Sequence, residues 1–283
     1  MSQPLTLMAI HAHPDDESIS TGGILARYAD EGIHTVLVTC TGGEVGEIAH
    51  PTLASSEDLH VVRESELRAA CEILGIRTLE LLGYRDSGMM GTEPNRHPDC
   101  FYQADLDVAV GKLVALVREH RPQVLVSYDE NGFYGHPDHI YANRITVRAF
   151  ERAGDPAWYP WAGTTPWQPL KLYYTAVSRS RMAAFGQRLR EHGIRPPLDN
   201  ENPDVPPFGT PDELITTIAD VTPYVRRKRE ALWQHRTQLG PEVFFSKLSP
   251  ELFEELFAHE AFQRVASRIP TPHHEDDLFA GLR

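Results

Sequence analysis

The sequence has few cysteines and no long apolar run. Its three cysteines, Cys40, Cys71 and Cys100, do not have the Cys-x-x-Cys spacing of a thiolate zinc site. Their odd number does not predict a disulfide framework, and reduced thiols in a cytoplasm are the simplest interpretation. No apolar run approaches the roughly 18 residues of a membrane span, and residues 1–4 lack the basic start of a signal peptide. We therefore expect a cytoplasmic protein.

The sequence also lacks an excess of basic residues. Its 27 Lys and Arg residues stand against 40 Asp and Glu residues, which gives a formal net charge of −13. Such a charge favours solubility and disfavours nucleic acid or an anionic membrane as a partner. We therefore expect the partner to be a small molecule. The sequence is compatible with a monomer and with an oligomer.

Apolar runs of strand length alternate with helical patterns along the first half of the chain. The predicted strands cover residues 5–10, 34–40, 78–82 and 124–128, and the predicted helices cover residues 18–30, 60–74, 104–120 and 137–150. This alternation predicts parallel strands joined by right-handed helical crossovers, with helices on both faces of the sheet. The predicted fold class is α/β with a mostly parallel sheet.

The composition changes after residue 154, where Pro, Trp, Gly and Thr become frequent. Because a strand at residues 172–177 still belongs to the regular part, we divide the chain into a core at 1–178 and a C-terminal extension at 179–283. The extension is predicted to contain a long loop or lid at 195–210, a strand at 214–219, a helix at 223–238 and an amphipathic stretch at 250–265. We expect this less regular part to pack on the core.

Two loops rich in metal-ligand residue types follow predicted strands. Residues 11–17 are His-Ala-His-Pro-Asp-Asp-Glu, and residues 129–139 end in His-Pro-Asp-His. Because the carboxyl ends of parallel strands meet at one edge of the sheet, both loops are expected to open on that edge. His13, Asp16 and His139 then supply two imidazoles and one carboxylate, a set typical of a catalytic zinc or non-haem iron site.

A site with three protein ligands leaves room for a water molecule. Bound zinc lowers the pKa of such a water from 15.7 to about 7, so the predicted chemistry is hydrolysis. For either loop alone the alternative is structural, with ordinary loop histidines and with Asp16 as a helix cap. Two such loops on one sheet edge favour the metal site.

Four further side chains of these loops have predicted roles beside the metal. Asp15 is free to act as a general base, and a helix-capping role is its alternative. His136 is expected to stabilise an oxyanion or protonate a leaving amine, with Asp138 fixing its tautomer; a scaffold role is the alternative. Tyr134 can support a tetrahedral intermediate with its hydroxyl, and core packing is its alternative.

Three other polar segments are interpreted as lying outside the ligand set. His11 shares a strand face with His13 and is expected just beyond the ligands. The loop at residues 41–47 has neither GxGxxG spacing nor a P-loop lysine, so nucleotide binding is not favoured. Residues 273–277, His-His-Glu-Asp-Asp, are expected to form a solvated tail and not a metal site.

The two loops together resemble the signature of the LmbE or PIG-L-like deacetylase family. Its Ala-His-Pro-Asp-Asp-Glu and His-Pro-Asp-His stretches are residues 12–17 and 136–139 here. The chain is most similar to the actinobacterial branch, which contains the N-acetylglucosaminyl-inositol deacetylases of mycothiol biosynthesis and the mycothiol S-conjugate amidases. The resemblance implies a Rossmann-like sheet and one zinc ion, with Fe²⁺ as the other metal considered. The implied ligands are His13, Asp16 and His139, with Asp15 as the base.

The same resemblance implies a substrate and the residues that bind it. Arg63 and Asp86 are expected to contact sugar or inositol hydroxyls, and Ser20 lies in the turn that faces the substrate. Residues 85–89 are more similar to the deacetylases than to the amidases. The implied activity is zinc-dependent removal of the N-acetyl group from an N-acetylglucosamine-containing small glycoside, such as N-acetylglucosaminyl-inositol, with release of acetate. The alternatives are a mycothiol S-conjugate amidase and a non-enzymatic module that binds a nucleotide or a sugar.

Overall fold

The computed structural model describes residues 4–50, 52–162, 165–196 and 208–283. Most of the predicted lid loop at 195–210 therefore lies outside the described residues. The strands are β1 (Thr6–His11), β2 (His34–Thr41), β3 (Thr78–Tyr84), β4 (Val124–Ser127), β5 (Lys171–Ala176), β6 (Thr217–Asp220) and β7 (His259–Ser267). The helices are α1 (Gly22–Asp30), α2 (Leu59–Leu74), α3 (Leu106–His120), the single turn α4 (Gly132–Gly135), α5 (Pro137–Arg152), α6 (Arg179–Glu191), α7 (Val225–Leu232) and α8 (Pro250–Phe257).

All seven strands of the described residues belong to one sheet, in the order β3-β2-β1-β4-β5-β7-β6. Strands β1 to β5 are parallel to one another, and β7 is antiparallel to both β5 and β6. The predicted α/β class with a mostly parallel sheet is confirmed. The direction of winding reverses between β1 and β4, and open α/β sheets bind ligands at such a point, beyond the carboxyl ends of the strands.

The central strand β1 is buried on both faces. Its side chains alternate, so that Leu7 joins an apolar cluster with Ile24 of α1 while Met8 joins another with Leu113 of α3 and Ile145 of α5. Helices therefore cover both faces of the sheet, as the continuous apolar run in this strand predicts. This packing fixes the position of the loop that follows β1.

The C-terminal part is more regular than predicted. The predicted strand at 214–219 corresponds to β6, the predicted helix at 223–238 is the shorter α7, and the amphipathic stretch at 250–265 divides into α8 and β7. Because β7 lies between β5 and β6, strands from both sides of residue 178 share one sheet. The division at residue 178 stays a prediction.

The segment at residues 273–277 is only partly solvated, which corrects the predicted solvated tail. His273 and His274 are exposed, but Glu275 is buried. Its carboxylate accepts a hydrogen bond of 2.6 Å from Lys171 Nζ and one of 2.7 Å from the Tyr173 hydroxyl. This ion pair ties the C-terminal segment to β5.

Among the described residues, no helix combines the length and the apolar character that a membrane crossing requires.

The buried ion pair predicts the effect of Glu275→Gln on stability. Without the carboxylate, the fully buried ammonium of Lys171 has no counter-charge at Glu275, and the free energy of unfolding should fall by about 3 kcal/mol. Urea denaturation measures this loss. In the exposed pair of Arg226 and Glu230, the matched change Glu230→Gln should cost less than about 1 kcal/mol. Equal losses in the two variants would contradict the prediction.

Candidate metal centre

The loop after β1 and the first turn of α5, which follows β4, bring three donor atoms together. His13 Nδ1 lies 3.3 Å from His139 Nε2 and 3.4 Å from Asp16 Oδ2, and the third side of this triangle, from His139 Nε2 to Asp16 Oδ2, is 3.5 Å. In a tetrahedral zinc site with metal–nitrogen distances near 2.1 Å, two ligand atoms are about 3.4 Å apart. The three predicted ligands therefore converge with the spacing that one ion requires.

The protonation states of His139 and Asp16 also fit a cation. Burial lowers the pKa of His139 to about 3, so its ring is neutral near pH 7 and its nitrogen keeps a lone pair. Although burial acts in the opposite direction, the imidazoles of His139 and His13 hold the pKa of Asp16 well below its usual range. Although burial acts to lower it, the carboxylates of Asp86, Asp138 and Asp16 raise the pKa of His13 well above its usual value, so a metal ion would displace the proton on Nδ1.

The carboxylate of Asp138 orients the ring of His13. Asp138 is fully buried, and its Oδ2 lies 3.2 Å from His13 Nε2. The same carboxylate accepts hydrogen bonds from the Ser87 hydroxyl and, at 2.9 Å, from the Ser87 N–H. An acceptor at Nε2 keeps the His13 proton there and leaves Nδ1 for the metal, which is how metal-binding histidines are commonly held.

This arrangement corrects the predicted role of Asp138 toward His136. We expected the Asp138 side chain to fix the His136 tautomer, but its carboxylate contacts His13 instead. The main-chain N–H of Asp138 donates to His136 Nδ1 at 3.2 Å, because His136 caps the N-terminus of α5. The neutral His136 ring therefore carries its proton on Nε2, and the tautomer is fixed by the backbone.

His136 is the nearest competitor for a place among the ligands. His13, His136 and His139 each bring one nitrogen to within 4.8 Å of the others. We favour Asp16 over His136 as the third ligand because Asp16 Oδ2 lies 3.4 and 3.5 Å from the other two donor atoms, the spacing that one ion requires, and because a carboxylate supplies negative charge. Burial, together with the neighbouring His13, lowers the pKa of His136 to about 4.

Asp15 has a strained backbone that its neighbours hold in place. Its φ of 121° is rare for a residue with a side chain. The Asp15 N–H donates to Glu17 Oε2 at 2.9 Å, and Arg63 donates to Asp15 Oδ2 at 3.2 Å and to the Pro14 carbonyl at 2.5 Å. Burial raises the pKa of Asp15 to about 6, although the Arg63 guanidinium acts to lower it. A carboxylate of this kind can exchange a proton near neutral pH.

Arg63 is buried and has a structural role that the sequence did not indicate. Besides the two contacts with residues 14 and 15, it donates to the Gly43 carbonyl at 3.0 Å. Gly43 has a φ of +68°, and a Cβ there would lie only 2.2 Å from the Arg63 guanidinium. The glycines of the loop at 41–47 therefore make room for an arginine. The predicted contact of Arg63 with a sugar remains a prediction.

Asp86, Ser20 and Tyr134 line the same cavity as the donor triangle. This metal cavity has a volume of about 410 Å³. Asp86 is buried, with Oδ1 3.6 Å from His13 Nε2, and Ser20 is half-buried in the turn after the first loop. Tyr134 is 46% exposed, which excludes the core-packing alternative, and its ring centre lies 5.1 Å from that of His139.

Tyr128, at the end of β4, is a site residue that the sequence analysis missed. Its hydroxyl donates to Asp16 Oδ2 at 2.7 Å and accepts from the Ala12 N–H at 2.7 Å, and its ring stacks on His139 at 4.1 Å. The ring nitrogens of His11 lie 3.3 Å from the Tyr128 hydroxyl and 2.9 Å from Thr21 Oγ1. His11 therefore supports the site from outside the triangle, as predicted.

A second missed contact joins the C-terminal part to the first loop. His235 Nε2 lies 2.8 Å from Glu17 Oε1, and both side chains are fully buried. Although burial acts against both charges, each partner favours the charged form of the other, so the pKa of Glu17 is lowered and the pKa of His235 is raised. Glu17 thus links His235 to the N–H of Asp15, whose backbone conformation is strained. The sequence motif contains Glu17, but nothing in the sequence pairs it with residue 235.

The choice of Asp16 over His136 predicts the metal content of two variants. His139→Ala removes one corner of the triangle and should lose most of the metal, because two protein ligands remain. His136→Ala removes an imidazole outside the triangle and should keep one ion per chain. Elemental analysis after extensive dialysis measures both. Metal loss in His136→Ala with retention in His139→Ala would overturn the assignment.

The chain is similar to proteins of known family. Residues 8–150 match the family described as GlcNAc-PI de-N-acetylase, PIG-L. A Catenulispora acidiphila protein named 1D-myo-inositol 2-acetamido-2-deoxy-alpha-D-glucopyranoside deacetylase 1 is 47% identical over 288 residues, covering 98% of this chain and 89% of the relative.

Two solved structures share the fold at low sequence identity. The N,N'-diacetylchitobiose deacetylase of Pyrococcus horikoshii matches with a TM-score of 0.65 and 19% identity, over 92% of this chain and 84% of that one. The 4-carboxy-2-hydroxymuconate hydratase of Pseudomonas putida matches with a TM-score of 0.59 and 20% identity, over 95% and 99%. Since one fold carries a deacetylase and a hydratase, the sequence match decides the family: this chain belongs to the PIG-L family of de-N-acetylases.

Proposed function

We propose that the protein is a zinc-dependent N-deacetylase of N-acetylglucosaminyl-inositol or a closely related small glycoside. The observation that carries the proposal is the triangle of His13, Asp16 and His139 with the carboxylate of Asp15 in the same cavity. The name of the 47% identical relative supports this substrate. The reaction adds water to the acetamide and releases acetate and a free amine.

Zinc is the proposed metal because two neutral imidazoles and one carboxylate form a common catalytic zinc set, which Fe²⁺ also accepts. Bound zinc would supply Lewis-acid polarisation of the acyl carbonyl and a water that is acidic enough to lose its proton near pH 7. His13, Asp16 and His139 would hold the ion. Asp138 and Tyr128 keep two of these ligands in position through the contacts described above.

The remaining side chains of the cavity divide the proton transfers and the contacts to the oxyanion between them. Asp15 takes the proton of the attacking water, and Arg63 keeps its carboxylate in position. The Nε2–H of the neutral His136 ring donates a hydrogen bond to the oxygen that becomes negative when water attacks. Tyr134, at the mouth of the cavity, donates its hydroxyl to the same oxygen. The protonated carboxyl of Asp15 then returns its proton to the departing nitrogen. Asp15 thus acts first as the base and then as the acid, and His136 stabilises the oxyanion.

The polar wall of the metal cavity suits a sugar. Arg63, Asp86 and Gln238 line it, and Ser20 lies at its edge. The carboxylate of Asp86 can accept hydrogen bonds from sugar hydroxyls, with its pKa held low by His13 although burial acts to raise it. The free base Asp15 argues against a module that only binds its ligand. A cytoplasmic location agrees with three buried cysteines that carry free thiols.

Acetate release from synthetic N-acetylglucosaminyl-inositol tests the proposal directly. The zinc-loaded protein should hydrolyse this substrate faster than a mycothiol S-conjugate, which is the substrate of the amidase alternative. Removal of the metal with a chelator should abolish activity, and added Zn²⁺ should restore it. A protein that contains one zinc ion per chain but releases no acetate would refute the proposal.

The base assignment predicts the kinetics of Asp15→Asn. This variant keeps the size of the side chain but cannot take a proton, so kcat should fall by on the order of 10² to 10⁴ while the metal content stays at one ion. Steady-state kinetics and elemental analysis on the same sample measure both quantities. Asp99→Asn, a matched change of an exposed aspartate, should leave kcat as it is. Full activity in Asp15→Asn would remove Asp15 from the mechanism.

The contact between Glu17 and Asp15 predicts a positioning effect. One carboxylate oxygen of Glu17 accepts the Asp15 N–H, and the other lies beside His235. In Glu17→Gln an NH₂ group replaces one of these oxygens, so one of the two contacts is lost. The base then moves relative to the metal, so kcat should fall by about 10- to 100-fold with little change in KM. Glu66→Gln is the matched control, because Glu66 binds the N–H and hydroxyl of Thr237 in the same C-terminal segment. A similar loss of kcat in both variants would indicate a general effect on folding.

A further inference from the structure

A second cavity of about 290 Å³ lies beside the metal cavity. Six phenylalanines line it, from five separate segments of the described chain: Phe133, Phe185, Phe208, Phe244, Phe245 and Phe257. We call it the phenylalanine cavity. Its volume is at the lower end of the range for small-molecule sites, so it would hold one apolar group and not a whole glycoside.

The two cavities are direct neighbours. Ile19, Ser20, Phe133 and Phe245 line both of them. Ile19 and Ser20 belong to the turn that follows the ligand Asp16, and Phe133 precedes the oxyanion-stabilising His136 by three residues. One molecule can therefore react in the metal cavity and place an apolar group in the phenylalanine cavity.

Phe133 is held at this boundary in a strained conformation. Its φ of 66° and ψ of −65° are those of a rare γ-turn, and its N–H donates to Asp129 Oδ1 at 2.9 Å. The ring packs edge to face on Phe208 at 5.0 Å. Strained residues of this kind concentrate at ligand sites. The backbone thus places an aromatic ring in the wall that separates the cavities.

The charges in the wall of the phenylalanine cavity favour an uncharged occupant. Lys228 and Glu260, the two buried charged residues of its wall, pair with each other at 2.5 Å; the other charged or titratable lining residues, Arg181, Glu255 and His259, are exposed to solvent. Glu260 also accepts the N–H groups of Gly23 and Ile24 at the start of α1. Because this carboxylate and this ammonium neutralise each other, an alkyl chain suits the cavity better than an acid or an amine.

The sheet order shows which end of the substrate faces this cavity. Arg63 on α2 and Asp86 after β3 form the polar wall, on the side of β1 where β2 and β3 lie. The phenylalanine cavity lies on the opposite side, where Thr175 and Ala176 of β5 line it. In an amide, the acyl group and the nitrogen substituent extend from opposite sides of the carbonyl. With the sugar on the polar wall, the acyl group extends toward the phenylalanines.

We propose that the phenylalanine cavity binds the N-acyl chain, so that the enzyme hydrolyses amino sugars that carry N-acyl chains longer than acetyl. This inference rests on the proposed function. The reaction remains a hydrolysis: the water oxygen bonds to the carbonyl carbon, the C–N bond breaks, and the nitrogen takes a proton. The products are a medium-chain fatty acid and a free amino sugar.

The first experiment compares two series of substrates with the zinc-loaded enzyme. One series varies the acyl group of glucosaminyl-inositol from acetyl through butanoyl to hexanoyl, and the other keeps the N-acetyl group and lengthens an alkyl aglycone. Each methylene that enters the cavity should raise kcat/KM by about two- to fourfold, so hexanoyl, with four more methylenes, should exceed acetyl by on the order of 10- to 10²-fold. The aglycone series should show no such rise.

The outcomes separate this inference from the proposed function. Hydrolysis of the N-acetyl substrate with a fall in kcat/KM along the acyl series overturns the inference and leaves the proposed function intact. A rise along the aglycone series alone also overturns it, because the cavity would then bind the other end of the substrate. Hydrolysis of the hexanoyl but not the acetyl substrate refutes the proposed acetyl specificity and supports the inference.

A cavity-filling variant provides the second test. Ala261 on β7 lines the phenylalanine cavity, and Ala261→Phe would occupy part of its volume. The readout is the ratio of kcat/KM for hexanoyl to that for acetyl within one sample, because a partial loss of folded enzyme cancels in this ratio. The ratio should fall about 10-fold in Ala261→Phe and stay at the wild-type value in Ala184→Phe, an exposed position on α6. An unchanged ratio in Ala261→Phe overturns the inference.

Discussion

The carboxylate of Asp16 is the contact on which the rest of the site depends. Its Oδ2 accepts a hydrogen bond of 2.9 Å from the main-chain N–H of His13, which closes the first loop. The same atom accepts a hydrogen bond of 2.7 Å from the Tyr128 hydroxyl, which ties that loop to the end of β4. The same atom is one corner of the donor triangle. A single oxygen therefore shapes the loop, joins the two central strands and supplies negative charge for a cation. Its position explains why the site forms between β1 and β4, where the winding of the sheet reverses.

Around this atom, each metal donor is held by a second group from a different element. Asp138 on α5 holds His13, and Tyr128 after β4 stacks on His139 and donates its hydroxyl to Asp16. The base Asp15 is held through its N–H by Glu17. Such supports reduce the motion that a reacting group would otherwise have, and precise placement is a large part of what an active site contributes to rate. The strained φ of Asp15 is tolerated because these neighbours fix it from several directions.

The sequence predicted the parts of this structure that depend on local patterns. Strand-length apolar runs predicted β1 to β4, and the spacing of His13, Asp16 and His139 predicted the triangle, because parallel strands bring the loops that follow them to one edge. Contacts between distant segments carried no local signal. The sequence places Tyr128 at the end of a strand and Glu275 in a polar tail, and neither the contact of Tyr128 with Asp16 nor the ion pair of Glu275 with Lys171 has a local signature.

The C-terminal third shows the same limit for the fold. The apolar spacing at 250–265 belongs to a helix and a strand in succession, and a single amphipathic pattern does not reveal where one ends and the other begins. The insertion of β7 between β5 and β6 is a long-range pairing, which depends on the whole sheet. Asp138 was assigned to the wrong imidazole for a similar reason, since the direction of its carboxylate depends on Ser87 in another loop.

The buried contact between Glu17 and His235 has a consequence for the order of assembly. Both signature motifs emerge from the ribosome within the first half of the chain, yet the carboxylate that fixes the base acquires its partner almost a hundred residues later. A nascent chain can thus contain every metal donor while the base still lacks its full support. Full support of the base is in this way coupled to folding of the C-terminal third, because His235 lies just beyond α7.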